Sequence, residues 1–265
     1  MYKFGFIGLG NMGFSIMNGL IKDNPSSDFT FFEVSEEVIE NTKENFGIEP
    51  SESVKDLCKN SKYIVLAVKP QIYPEVMKEM KGNVKKDSAV ISIAPGFSTS
   101  DLKDSLGKNT KIVRCMPNTP ALISEGMSVI SYSDDSFSDE ETADINELFS
   151  SCGEVETVPE NYMDAVVPIS GSSPAYVYVF IEAMADAGVA QGLPRKLAYK
   201  LAAQSVLGSA KMVLETGKHP GELKDAVCSP GGTTIAAVRE LEKGGFRSSV
   251  IEAMYAAYMK TQNLK

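Results

Sequence analysis

The chain has 265 residues, 43% of them hydrophobic, enough to bury a sizeable core and to form two domains. A formal net charge of −9 argues against the clustered Lys and Arg of a nucleic-acid-binding protein, and no apolar run approaches the roughly 20 residues that span a bilayer. Four widely spaced cysteines (Cys58, Cys115, Cys152 and Cys228) and a lone His219 offer no zinc-ligand pattern, and the first residues lack a signal-peptide core, so a cytoplasmic protein with free thiols and no metal is expected.

The first element is a short apolar run, residues 3–7. It ends in Gly8-Leu9-Gly10-Asn11-Met12-Gly13 and continues as a helix with Ile16, Leu20 and Ile21 on one face. A dinucleotide pyrophosphate rests on such a strand, tight turn and helix. Gly8 makes the turn, Gly10 lets phosphates approach the backbone, and Gly13 lets helix pack on strand. The next predicted strand, residues 29–32, ends at Glu33, about 20 residues past the motif, where a carboxylate accepts from an adenosine ribose diol and repels a 2′-phosphate. Ser35 is placed to donate to such a phosphate, so the choice between NADH and NADPH stays open.

Strand and helix patterns then alternate, as in a parallel sheet wound on both faces. A continuous apolar run at residues 63–68 stops at Lys69-Pro70, and strand-like runs at 88–93 and 111–116 stop at Ala94-Pro95-Gly96 and Pro117-Asn118-Thr119-Pro120. Ligands of open α/β sheets lie outside the carboxyl ends of the strands, which makes each of these ends a wall of a cofactor cleft.

From Tyr162 onward the texture changes to Ala, Met, Leu and Tyr at helical spacing. The reading is α/β: a Rossmann-type NAD(P)-binding domain, residues 1–160, followed by an all-helical domain for dimerisation and substrate binding, residues 161–265. A helix opening at Pro174 and reaching about Gln191 is apolar on most of its circumference, with Glu182 and Asp186 as exceptions. Gly192-Leu193-Pro194 breaks it, and Arg195 to Thr216 forms another. About 100 residues have too little interior for so much apolar helix, so a partner subunit is expected to cover the rest.

Near the end, Ser229-Pro230-Gly231-Gly232-Thr233-Thr234 precedes a helix marked by Ile235, Val238 and Leu241. The amides of Gly231, Gly232 and Thr233 and the positive end of the helix dipole suit a carboxylate or phosphate, and Ser229 and Thr234 add hydroxyls. Cys228 lies beside them with no histidine to activate it.

Six blocks together resemble the pyrroline-5-carboxylate reductases over essentially the whole length: residues 6–13, Ala67-Val68-Lys69-Pro70, Met116 to Pro120, Met163-Asp164-Ala165-Val166, Gly171 to Tyr176, and Leu223-Lys224-Asp225 running into residues 229–234 and on to Arg247. The resemblance implies reduction of the cyclic imine pyrroline-5-carboxylate to proline by NADPH or NADH, in a homodimer with a shared active site, with ring assemblies of dimers left open. It assigns Gly8, Leu9, Gly10, Asn11, Met12 and Gly13 to the pyrophosphate. It also sets Ala67, Val68 and Lys69 along the adenosine half and Pro117 and Asn118 at the nicotinamide, and the strand-end reading adds Pro70 and Ala94 to the cofactor cleft. Thr234 takes the catalytic place, hydrogen-bonded to the ring nitrogen, while Ser229, Gly231, Gly232 and Thr233 hold the substrate carboxylate. Such an imine is readily protonated, which fits a reductase with no histidine to serve as an acid. Two other readings predict different residues. A β-hydroxyacid dehydrogenase needs a lysine on the helix at 174–191, which has none, and a dinucleotide-sensing regulator without turnover needs no anion site in the second domain.

Overall fold

Alternating strands and helices run through the first half of the computed structural model, which describes residues 1–263. In order they are β1 (Tyr2–Ile7), α1 (Asn11–Leu20), β2 (Phe29–Phe32), α2 (Glu36–Phe46), α3 (Val54–Asn60), β3 (Ser61–Leu66), α4 (Tyr73–Met80), β4 (Ala89–Ser92), α5 (Thr99–Leu106), β5 (Lys111–Met116), β6 (Gly126–Tyr132), α6 (Asp139–Ser150) and β7 (Gly153–Thr157). Then come α7 (Met163–Val166), a π-helical turn at Val167–Gly171, α8 (Ser173–Ala190), α9 (Arg195–Thr216), α10 (Pro220–Val227), α11 (Thr233–Lys243) and α12 (Phe246–Gln262). No helix of the described residues is long and apolar enough to cross a membrane.

The strands form one sheet in the order β2-β1-β3-β4-β5-β6-β7. β1 pairs in parallel with β2 on one side and β3 on the other, so the winding reverses between β1 and β3, and a crevice opens beyond their carboxyl ends. The period-2 alternation of each strand feeds two cores. Phe4, Phe6, Phe29, Phe31, Val65 and Val113 meet Ile16 and Leu20 of α1 and Leu148 and Phe149 of α6 on one face. Ile7, Ile64, Leu66, Val90 and Ile112 meet Leu57, Tyr73, Met77 and Leu102 on the other. Cover on both faces is why β3 and β4 read as unbroken apolar runs.

β6 runs antiparallel to β5 and carries β7 in parallel at the sheet edge. Neither is marked by an apolar run in the sequence. β7 reads Gly-Glu-Val-Glu-Thr with Glu154, Glu156 and Thr157 exposed, the polar surface of an edge strand.

Asp144 of α6 is the hub of a polar cluster beside Lys3 and Lys62. It lies 2.9 Å from Lys3 Nζ and 3.3 Å from Lys62 Nζ, and accepts from Tyr63 Oη at 2.7 Å. Burial alone pushes its pKa up; the hydrogen bonds from Lys3 and Tyr63 outweigh this and hold the carboxyl below its ordinary range. A depressed folded-state pKa means stabilisation that is complete above the unfolded value, near pH 4, and lost as pH falls through the folded value. Asp144→Asn is therefore expected to lower urea stability at pH 7 by about 1 kcal/mol, with the difference from wild type shrinking below about pH 4. Urea titrations at pH 7 and pH 3 check this, and an equal difference at both pH values contradicts it.

By packing, the chain forms two units: Met1–Ser172 with the chain end from Ala257, and Ser173–Ala256. The domain boundary expected after residue 160 thus precedes the packing division after Ser172. Residues 161–172 belong with the sheet because Met163 is buried against Met116 and Val129, and Arg114 of β5 bonds Glu160 at 3.1 Å and pairs with Asp164 at 3.6 Å. Gln262 donates to Asp164 at 2.8 Å and ties the end of α12 into the same unit.

The second unit is helical. Its buried apolar residues are all alanines: Ala185, Ala198 and Ala202. The expectation that the helix at 174–191 is covered on more than one side is not met within one chain, where Tyr178 and Val179 of α8 and Leu201 and Leu214 of α9 are more than half exposed. An apolar surface of this extent marks an association site.

Candidate active site

The glycine turn divides its work among three positions. Gly8 has φ +90°, and a Cβ there would lie 2.8 Å from Val68 Cγ1 and 3.1 Å from the Ala67 backbone. At Gly13 a Cβ would lie 2.6 Å from the Gly8 carbonyl oxygen, so close packing of α1 on the turn requires glycine. Gly10 is different: nothing in the protein lies within 4 Å of where its Cβ would be. The space beside it at the start of α1 is open, which leaves room for a ligand to approach the backbone. α1 also has no side-chain cap and no acidic residue in its first turn, whereas α5 and α6 each carry a capping box. The first-turn amides of Asn11, Met12 and Gly13 and the helix dipole thus suit a pyrophosphate.

Leu9 takes another part. Its side chain is core, and its amide donates to Glu33 Oε2 at 2.9 Å. Glu33 Oε1 accepts from the amides of Val34 (2.7 Å) and Ser35 (3.1 Å), the latter residue heading α2. The acidic residue at the end of β2 therefore braces the glycine turn, which its position in the sequence does not reveal.

Beyond the strand ends lies a mainly apolar cleft of about 310 Å³. Met12, Ala67, Val68 and Pro70 form one side, Ile93, Ala94 and Pro95 the middle, and Met116, Pro117, Val167, Gly171 and Ser172 the other. Of the expected cofactor residues it brings together Met12, Ala67, Val68, Pro70, Ala94 and Pro117. The strand-end argument extends naturally to Ile93, Pro95 and Met116. It does not reach Val167, Gly171 and Ser172, which come from the π turn closed by Ser172 N–H donating to Val167 O at 2.8 Å.

Two more of the expected cofactor residues, Lys69 and Asn118, lie outside that lining. Lys69 is exposed and absent from the cleft wall, and its carbonyl accepts from Ile72 N–H at 2.9 Å to start a tight turn. Asn118 is buried, with its side chain committed to protein. Nδ2 donates to Ser170 O at 3.0 Å and Oδ1 accepts from Met127 N–H at 2.9 Å, so it fastens the loop after β5 to the π turn and to β6. Beneath the cleft, Tyr73 Oη donates to Leu66 O at 2.8 Å and lies 3.1 Å from Ser92 Oγ. Burial pushes its pKa up, so the phenol keeps its proton and holds the ends of β3 and β4 together.

The segment at 229–234 belongs to the second unit. Gly232 N–H donates to Ser229 O at 3.0 Å across Pro230 and Gly231, with Gly231 at φ +68°, the residue pattern of a type II turn. The Gly232 amide is therefore engaged in the turn and is not open to a ligand, a correction to the sequence expectation. Gly232 is the N-cap of α11, which has no side-chain cap and no first-turn acid, so the amides of Thr233, Thr234 and Ile235 lead off the helix. A Cβ on Gly232 would collide with Ser229 Oγ, which places that hydroxyl directly over the turn. Thr233 is exposed and Thr234 half-buried.

Comparison with known proteins sets this geometry in a family. The family described as pyrroline-5-carboxylate reductase dimerisation matches residues 160–264, and the one described as NADP oxidoreductase, coenzyme F420-dependent, matches residues 3–96. Pyrroline-5-carboxylate reductase of Escherichia coli is 48% identical over 264 residues, 99% of this chain and 98% of the relative. The chain belongs to the pyrroline-5-carboxylate reductase family. The family's Glycine max member is 42% identical over 99% of this chain and 96% of its own. The crystal structure of the Plasmodium falciparum enzyme with NADP bound superposes with a TM-score of 0.89 at 34% identity, covering 99% of this chain and 98% of that one. As a member of the family the protein is an NAD(P)-dependent oxidoreductase, with a Rossmann-type unit followed by a helical dimerisation region.

Proposed function

We propose that the protein reduces the C=N bond of L-1-pyrroline-5-carboxylate to give L-proline, the closing step of proline biosynthesis, with NADH or NADPH as reductant. The observation that carries this reading is the full-length identity to pyrroline-5-carboxylate reductases, joined to an uncapped helix start at residues 229–234. A reduced nicotinamide bound along the glycine turn would supply the hydride for the imine carbon, whose ring nitrogen already carries a proton from solvent. What remains for this chain is orientation. The amides of Thr233 and Thr234 with Ser229 Oγ hold the substrate carboxylate, and Thr234 Oγ1 hydrogen-bonds the ring nitrogen, fixing which face of the imine is presented. The apolar wall from Ala67, Ala94 and Pro117 excludes water from the reacting pair.

The assembly is a homodimer in which the loop at 229–234 of one protomer serves the glycine turn of its partner; assembly of dimers into rings is a further step of the same kind. Sedimentation at micromolar concentration is expected to give a dimer or a larger species, and a monomer contradicts the shared site. Four free cysteines, three of them buried, suit a reducing cytoplasmic setting. The decisive measurement follows nicotinamide absorbance with pyrroline-5-carboxylate and each cofactor. Oxidation of NADH or NADPH that depends on the imine supports the reading, and none with either cofactor sinks it. Turnover of 3-hydroxyisobutyrate or 6-phosphogluconate in place of the imine favours the β-hydroxyacid dehydrogenase alternative.

A further inference from the structure

Resting on the reading above that a nicotinamide dinucleotide binds at the glycine turn, we infer that Glu33 makes this chain selective for NADH over NADPH. The argument begins with where the carboxylate is held. It stands at the end of β2, beside the reversal point of the sheet, and its two oxygens accept from three backbone amides: Leu9, Val34 and Ser35. A carboxylate has about four acceptor positions, so one, on Oε2, remains for a ribose hydroxyl. A 2′-hydroxyl supplies the proton for that position. A 2′-phosphate offers none and brings negative charge.

A long acidic side chain on a surface normally swings away from an incoming anion, but Glu33 is anchored at both oxygens. Leaving would strip three amides of their acceptor, including one in the turn that shapes the pyrophosphate site. The same fixed hydrogen bonds engage the Ser35 amide, a donor that a phosphate would otherwise use. The residues that follow add to the repulsion, since Glu36 and Glu37 occupy the first turn of α2, and the first basic residue of that helix is Lys43, in its last turn. Lys69, on the loop after β3, is an exposed cation whose backbone carbonyl is held by Ile72 N–H at 2.9 Å.

The test compares kcat/KM for NADH and NADPH with pyrroline-5-carboxylate, alongside binding of adenosine 5′-monophosphate and adenosine 2′,5′-bisphosphate by calorimetry. The wild type is expected to favour NADH, and the 5′-monophosphate, by about tenfold or more, the scale of one unit charge fixed within several ångströms. Glu33→Gln and Glu33→Ser are expected to lower that ratio at least about tenfold, through a gain for the 2′-phosphorylated ligand. A wild type that takes NADPH equally or better overturns the inference. So does an equal loss for both cofactors in the two variants, the mark of a brace with no part in discrimination. If the imine is not reduced with either cofactor the enzymatic reading fails, and the two adenosine nucleotides still decide the role of Glu33.

Discussion

Replacing Thr234 by valine is expected to lower turnover of pyrroline-5-carboxylate by ten- to a thousandfold while the protein folds and binds cofactor as before. Valine keeps the branched shape and suits the second helical position about as well as threonine, so the backbone amides of α11 stay where they are. What is lost, on the proposed reading, is the hydroxyl that hydrogen-bonds the ring nitrogen. The carboxylate contacts through Thr233 and Ser229 survive, so the loss falls mainly in kcat and less in KM, as for an interaction that strengthens while the imine becomes an amine. Steady-state kinetics check this. Unchanged kcat removes Thr234 from the mechanism, and a rise in KM alone makes it a binding residue.

A pair of alanine substitutions in the glycine turn is expected to separate folding from ligand binding. Gly13→Ala drives a methyl to within 2.6 Å of the Gly8 carbonyl oxygen, a backbone atom that moves only if α1 lifts off β1 and the loop at Ala67. A loss of about 2 kcal/mol or more of stability and of measurable cofactor binding is expected. Gly10→Ala meets nothing within 4 Å, so the melting temperature should hold while cofactor affinity falls about tenfold or more, because the methyl occupies the approach of the pyrophosphate. Thermal melts and cofactor titration of both variants check this. Equal melting temperatures for the two proteins, or full cofactor affinity in Gly10→Ala, contradict the division of roles.

Much of this architecture is legible in the residues because the same physics writes both. Strands covered on two faces are mostly apolar, so β3 and β4 announce themselves, and glycines at Gly8 and Gly13 are forced by contacts as close as 2.6 Å. The cleft follows, since strand ends near a reversal point have nowhere else to hold a ligand. What escapes the sequence is set by tertiary neighbours. β7 looks like a loop because an edge strand with one wet face carries glutamates. The wall made by Val167, Gly171 and Ser172 depends on an i to i−5 hydrogen bond that no apolar spacing encodes. Glu33 and Asn118 are legible as polar groups at strand ends, but which partner each takes, backbone or cofactor, depends on rotamers that side-chain type leaves open.

The alanine-only interior of the second unit has a consequence for how the protein comes into being. Three buried alanine methyl groups offset little of the conformational entropy of more than eighty ordered residues, and the exposed apolar faces of α8 and α9 leave further burial to be gained on association. Association through these faces couples folding of this half to the encounter of chains by mass action, so its melting temperature is expected to climb with protein concentration.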